Sequence, residues 1–159
     1  MTSANKVKVT TPSDLEIAVE RKFNSPRKLV FEAFTKPELV KRWLFGPDEW
    51  PMVECKIDLR VGGAYRYVWR NKEKGDMGLS GVYREITPPT RIVHTEKFDQ
   101  GWPGGDVVVT TVFVEQGGQT IVTATVLCSS KEARDGALKS GMIGGWSRCY
   151  ERLDTLLAA

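Results

Sequence analysis

Residues 138–156 read LKSGMIGGWSRCYERLDTL, and the spacing of their apolar members decides the fold. Leu138, Met142, Trp146, Cys149, Leu153 and Leu156 step by 4, 4, 3, 4 and 3 residues. Such steps line one face of an α-helix of several turns. Ahead of them, Ser129-Ser130-Lys131-Glu132 has the pattern of a capping box, in which a hydroxyl accepts from a first-turn N–H. The spacing predicts one continuous helix to the end of the chain, with an apolar face that must bury against something. Gly136, Gly141, Gly144 and Gly145 fall inside it. Each weakens a helix interior by about 0.5–1 kcal/mol relative to Ala. Two readings explain them: close approach of a strand backbone, or space for a ligand together with a hinge.

Working outward, the preceding chain is mostly strand. Over 14–23, Leu15, Ile17 and Val19 alternate with Glu16 and Glu20, as in a half-buried strand. Ser25-Pro26 then offers an N-cap and a first-turn proline. Leu29, Val30, Ala33 and Phe34 form a short helical stripe. Thr35-Lys36-Pro37-Glu38 repeats the start signal, Leu39, Val40, Trp43 and Leu44 continue it, and Gly46-Pro47 stops it. Strand patterns follow over 53–60, 64–70, 79–87, 91–98, 107–115 and 119–128. Gly117-Gly118 makes a hairpin between the last two. With the first strand this gives seven, joined mostly by tight turns and therefore antiparallel. The expected fold is α+β: a curved seven-stranded antiparallel sheet around a long C-terminal helix, with two short helices after the first strand. One domain is expected over 13–159, behind a flexible segment 1–12 in which Val7 and Val9 can extend a first strand. A sheet wrapped on a helix in this way tends to leave a cavity between them.

Composition narrows the function. Lys plus Arg number 23 against 20 Asp plus Glu, a net charge of +3 that is too small to argue for nucleic acid. No stretch reaches the roughly 18 apolar residues of a membrane span. The start of the chain lacks the apolar run of a secretory signal. Cys55, Cys128 and Cys149 are odd in number and widely spaced, which favours free thiols in a reducing compartment and a cytoplasmic location. His94 is the single histidine, and no C-x-x-C is present, so a zinc site lacks ligands. Gly62-Gly63 is followed by no Lys-Ser/Thr and is not a phosphate loop. No cofactor or metal is expected.

Several short motifs fall in a recognisable order. They are Ser25-Pro26-Arg27-Lys28-Leu29-Val30-Phe31, Thr35-Lys36-Pro37-Glu38-Leu39 through Trp43, and Asp58-Leu59-Arg60-Val61-Gly62-Gly63. Gly81-Val82-Tyr83-Arg84-Glu85-Ile86 with Pro88 and Pro89, Arg91-Ile92-Val93-His94-Thr95, and the helix around Gly145-Trp146 complete the set. In this order the chain resembles the START-like (SRPBCC) helix-grip superfamily. Within it the chain is most similar to bacterial homologues of the activator of the 90-kDa heat-shock protein ATPase. The resemblance implies the helix-grip fold and an association with stress response. It is poor for function, because the fold hosts binders, enzymes and co-chaperone modules alike.

Candidate site residues are mainly aromatic. Tyr65, Tyr67 and Trp69 share one strand face, with Arg66 and Arg70 on the other. Trp43, Phe45, Tyr83, Phe98 and Trp146 add to the set, Met142 lies on the helix stripe, and Trp102 sits in a Gly/Pro loop where a lid would be. Apolar walls with a few hydroxyl and indole N–H handles suit a small aromatic ligand; filling of an ordinary core is the plainer alternative for each residue alone. His94 can serve as an acid or base, and Glu96, two residues on, shares its face. The competing reading is a strand histidine satisfied by a carbonyl or solvent. Arg66, Arg70, Lys72, Lys74 and Arg84 read either as a solvated sheet edge or as an anion-selecting mouth. The expected function is non-enzymatic binding of a small hydrophobic or aromatic ligand. A chaperone-binding module and a cyclase- or hydrolase-type enzyme using His94 and Glu96 are the alternatives. The expected partner is a small hydrophobic ligand, with a chaperone as the alternative partner, no nucleic acid and no membrane; the chain is a monomer or a homodimer.

Overall fold

Ile17, Val19, Arg21 and Phe23 are buried on one side of the strand Glu16–Phe23 (β2), and most of the later strands add buried side chains to the same core. The structure is a computed structural model and describes residues 6–44 and 49–158. Before β2 lies β1, Lys8–Thr10. Two helices follow, α1 at Arg27–Thr35 and α2 at Pro37–Trp43. Then come β3 (Met52–Ile57), β4 (Ala64–Asn71), β5 (Gly75–Thr87) and β6 (Arg91–Phe98). The strands β7 (Val107–Gln116) and β8 (Gln119–Leu127) and the helices α3 (Lys131–Lys139) and α4 (Met142–Ala158) close the order.

The sheet runs β1-β2-β8-β7-β6-β5-β4-β3, antiparallel throughout. It has eight strands rather than the seven expected. The extra one is β1, where Lys8 pairs with Glu20 and Thr10 with Ala18, inside the segment expected to be a flexible lead-in. Three residues with one partner are too short for a period-2 pattern to declare itself. The Gly117-Gly118 turn stands as expected: both glycines have positive φ, which matches the twist of the hairpin they join. In β5 and β6 the register shifts between Tyr83 and Glu85, a bulge that bends the long strand.

Alternation along each strand assigns the two faces. Inward lie Tyr65, Tyr67 and Trp69 of β4, and Ile17, Val19, Arg21 and Phe23 of β2, all buried. Phe113 of β7 and Val122 of β8 meet the ring of Phe31 and its neighbours on α1, with Phe31 and Phe113 5.3 Å apart edge to face. Burying each such side chain contributes about 1.5–3 kcal/mol.

The helix starts differ in detail from the sequence expectation. Ser25 does not cap α1. Pro26 is the N-cap, the Arg27 N–H is taken by Glu115 Oε1 at 2.8 Å, and Thr120 Oγ1 donates to the Ser25 carbonyl. Thr35 does not cap α2 either; its hydroxyl donates back to Phe31 O and closes α1. Ser130 does cap α3, accepting from the Ala133 N–H at 3.0 Å.

The long C-terminal helix is the larger correction. It is two helices, broken at Ser140-Gly141, where Gly141 has φ +85°. A left-handed residue after a C-cap ends a helix cheaply only when it is glycine. The apolar stripe continues across the break, so periodicity alone could not reveal it. Gly46 and Pro47, expected to end the second helix, lie outside the described residues, as does Phe45.

Candidate functional site

The inner face between β4 and β7 holds the polar chemistry. Tyr83 pairs with His94 across β5 and β6, and His94 pairs with Val109 of β7. Glu96 sits one inward step on, paired with Val107. Tyr65, on β4, reaches over Gly81 to this strand. Its hydroxyl donates to Thr95 O at 2.5 Å and lies 3.1 Å from His94 Nδ1. A side chain at residue 81 would collide with the Thr95 carbonyl and the Tyr65 ring. Glycine there is what lets the tyrosine cross.

These contacts fix the tautomer of His94. The Tyr65 hydrogen is committed to Thr95 O, and Nδ1 also lies 3.3 Å from that same carbonyl. Both neighbours of Nδ1 therefore act as acceptors, and we assign the ring proton to Nδ1, which leaves the lone pair on Nε2. Burial holds the imidazole down to a pKa of about 4, against a small opposing effect of the Thr95 backbone contact. Burial also pushes the Glu96 carboxyl up to about 7. The two groups are 3.9 Å apart, outside hydrogen-bonding range. At neutral pH His94 is uncharged and Glu96 is poised near half-ionisation.

The aromatic candidates fall into three groups. Tyr65, Tyr67 and Tyr83 form a cluster with His94, the ring centroids 5.1–5.4 Å from Tyr65. The Tyr67 hydroxyl donates to that of Tyr83. Burial raises the hydroxyl pKa of all three, Tyr83 to about 12. On α4, Trp146 packs edge-on against Tyr150 at 6.1 Å and donates its indole N–H to the Tyr150 hydroxyl. Phe98 and Trp102 form the third group, 6.2 Å apart. Trp102 lies over Gly104, and Pro103 beside it approaches Gly136 of α3. A side chain at Gly136 would meet Pro103 only at ordinary van der Waals distance, so close approach does not require that glycine, and nothing lies within 4 Å of where a Gly145 side chain would begin.

Trp43 and Trp69 belong to the packed core. Both are buried, and their indole N–H groups donate to Ala33 O at 2.8 Å and Leu44 O at 3.2 Å. Met142 is half-buried on the core side of α4. The basic residues Arg66 and Arg70 lie on the opposite face and are engaged. Arg66 binds both oxygens of Asp99, and Arg70 both oxygens of Asp76. These guanidinium groups hold both carboxyls below their usual range.

Two residues that the sequence reading passed over are central. Arg21, buried on β2, donates Nη1–H to Tyr150 O at 2.9 Å and reaches Asp154 Oδ2 at 3.4 Å. Tyr150 is buried and touches Phe23, Phe34 and Trp43 with its ring. A signal for Arg21 existed, because it occupies the inward phase of Ile17, Val19 and Phe23. Tyr150 was hidden beside Cys149 at the edge of the helical stripe.

Under α4 the inner face is not sealed. The side chains of His94 and Glu96 keep 18% and 29% of their surface open. The nearest backbone neighbours of α4 are α1, α2 and α3 more than any strand. Among the described residues no buried side-chain nitrogen or oxygen lacks a hydrogen-bond partner, yet Glu96 makes no hydrogen bond. Its oxygens therefore keep some exposed surface on a side chain that is otherwise mostly covered.

An eight-stranded antiparallel sheet with four helices, and a polar-aromatic inner face beneath the last of them, is the α+β architecture of the helix-grip class. The chain belongs to the family described as activator of Hsp90 ATPase homolog 1-like protein, whose model matches residues 24–158. It is similar to a protein of Rhodobacter sphaeroides, at 31% identity and TM-score 0.91, covering 97% of this chain and 99% of that one. A Nitrosomonas europaea protein, NE0264, matches at 24% identity and TM-score 0.80 over 92% of this chain and 96% of that one. Mycobacterium smegmatis Ms6760 matches at 22% identity and TM-score 0.82 over 95% and 96%. The last two likenesses establish the fold alone. No curated protein matches the chain. No described helix is long and apolar enough to cross a membrane.

Proposed function

We propose that the protein binds a small hydrophobic or aromatic molecule, without turnover, between the inner face of the sheet and α4. The observation that carries this reading is the open surface kept by Glu96 and His94 on a face whose other members are buried. Tyr65, Tyr67 and Tyr83 supply one wall, and Trp146 and Met142 of α4 the other. Phe98 and Trp102 stand toward the loop that ends β6. An apolar site with a few polar groups is the usual form of a small-molecule pocket.

The test is native mass spectrometry of the protein purified from its own host, with the uncharged dye N-phenyl-1-naphthylamine titrated into the same sample. A co-purifying small molecule that leaves on denaturation is expected. Failing such a molecule, a fluorescence rise that Trp146→Ala alters is expected. A clean apo mass together with no dye binding sinks the reading.

The family supports a second reading, a protein-binding module that stimulates a chaperone ATPase. It predicts faster ATP hydrolysis by the cognate 90-kDa chaperone on addition of this chain. No binding at high concentration disposes of it.

A further inference from the structure

We propose that Glu96 orients the ligand by accepting a hydrogen bond from a neutral O–H donor on an otherwise aromatic molecule, which makes phenols the preferred class. The inference rests on the binding reading above and adds the chemistry of recognition to it.

Three observations lead there. First, Glu96 is the acidic side chain whose backbone position faces inward beside the tyrosine cluster, and its carboxyl makes no hydrogen bond. A carboxyl left unpaired in apolar surroundings is costly, and a ligand that supplies a donor relieves that cost. Second, the protein's own nearby hydrogens are committed elsewhere. Tyr65 donates to Thr95 O, Tyr67 to Tyr83, and Trp146 to Tyr150. His94 Nδ1–H faces the Tyr65 and Thr95 oxygens. Third, the site is not built for ions. Tyr65 and Tyr67 from β4 and Tyr150 from α4 face Glu96, and His94 beside it on β6 stays neutral. Among the described residues, the buried cation on this face is Arg21 of β2, and it is spent on Tyr150 O and Asp154. A second anion would meet Glu96 with no cation among the described residues of this face free to balance it. A flat aromatic body suits the tyrosine and tryptophan rings, whose edge and face contacts already dominate the walls.

The opposing dependences on pH follow from Glu96. A phenolic O–H binds best to the ionised carboxylate, so its affinity rises as pH climbs through about 7. An aryl ether of the same shape has no donor and only desolvates the carboxylate further. Its affinity falls over the same range.

The experiment is calorimetric titration of the intact chain with 2-naphthol and with its methyl ether across neutral pH, repeated on Glu96→Gln. The expected result is a preference for the naphthol of about tenfold or more above neutrality. That preference grows with pH in the native chain and loses its pH dependence in Glu96→Gln. Equal binding of the two compounds, or tighter binding of the ether at every pH, overturns the inference and leaves the binding reading standing. A pH-dependent preference that survives Glu96→Gln assigns the acceptor to another group and also overturns it. If neither compound binds, the binding reading falls and the inference falls with it.

Discussion

Arg21 of β2 donates its Nη1–H to the backbone carbonyl of Tyr150 on α4 at 2.9 Å, joining residues 129 apart in sequence. The guanidinium also lies 4.9 Å from the Phe23 ring centroid and 3.4 Å from Asp154 Oδ2. It is the polar tie between the sheet and the helix that covers it. Its partner Asp154 is partly solvated, so removing the arginine does not strand a fully buried charge.

Arg21→Ala is therefore expected to destabilise by roughly 2–4 kcal/mol, from the lost charge-assisted bonds and the packing of its stem. Arg21→Lys keeps the charge but cannot make the planar pair of contacts, and should recover only part of that loss. Urea unfolding of both variants checks this; wild-type stability in Arg21→Ala would show that α4 is held by other contacts.

His94 and Glu96 make opposite contributions to stability against pH. His94 is held down to about 4, so its contribution is lost as pH falls from its ordinary value near 6.5. Glu96 is raised to about 7, so its contribution is present at low pH and lost as pH rises from its ordinary value of 4.5. Between about pH 4.5 and 6.5 the two slopes cancel. Glu96→Gln should expose the histidine slope, with stability rising by about 1 kcal/mol per pH unit relative to wild type. His94→Gln should expose the reverse slope. Parallel profiles for all three proteins would mean that the two groups are not buried as described.

Gly81 is the position over which Tyr65 crosses to Thr95. Gly81→Ala drives a methyl into the Thr95 carbonyl as well as the Tyr65 ring, so strand and ring must both shift, and it should cost about 3 kcal/mol or more by overpacking. Displacing Tyr65 also loosens the cover of His94, so the histidine pKa should move up from about 4 toward its ordinary value. Nuclear magnetic resonance titration of the single imidazole reads this directly. An unmoved pKa in a folded variant would separate Tyr65 from the histidine's environment.

Two glycines in the C-terminal region should respond oppositely to alanine. Gly145 lies within α4 and has nothing near its would-be side chain, so Gly145→Ala should stabilise by about 0.5–1 kcal/mol. Gly141 has φ +85° at the break, so Gly141→Ala should destabilise by about 1 kcal/mol. Thermal unfolding of the pair distinguishes them. Equal effects would argue against a break at Gly141.

Much of the fold was legible because period-2 alternation is a local property. Ile17 and Val19 in β2, and Tyr65, Tyr67 and Trp69 in β4, announce an inner face without knowledge of any partner strand. The Gly117-Gly118 hairpin and the Ser130 cap are likewise written in a few adjacent residues. The family resemblance also held, over residues 24–158. Strand β1 and the Gly141 break were not legible. One is too short to carry a period, and the other leaves the apolar stripe continuous on both sides.

The candidate site divides in the same way. Alternation put Tyr65, Tyr67 and Trp69 on one strand face and His94 and Glu96 together on one face of another, because side-chain direction in a strand follows from sequence parity; it left open whether His94 and Glu96 point inward. Only the tertiary structure decided which of them are packed and which keep exposed surface. Trp43 and Trp69 look no different from Trp146 in sequence, yet two donate to core carbonyls and the third reaches Tyr150 on the covering helix. The commitment of each hydroxyl hydrogen, and the burial that lowers the His94 pKa and raises that of Glu96, depend on elements far apart in the chain. Desolvation and hydrogen bonding are set by what surrounds a group in space, and residue order specifies that only through the completed fold.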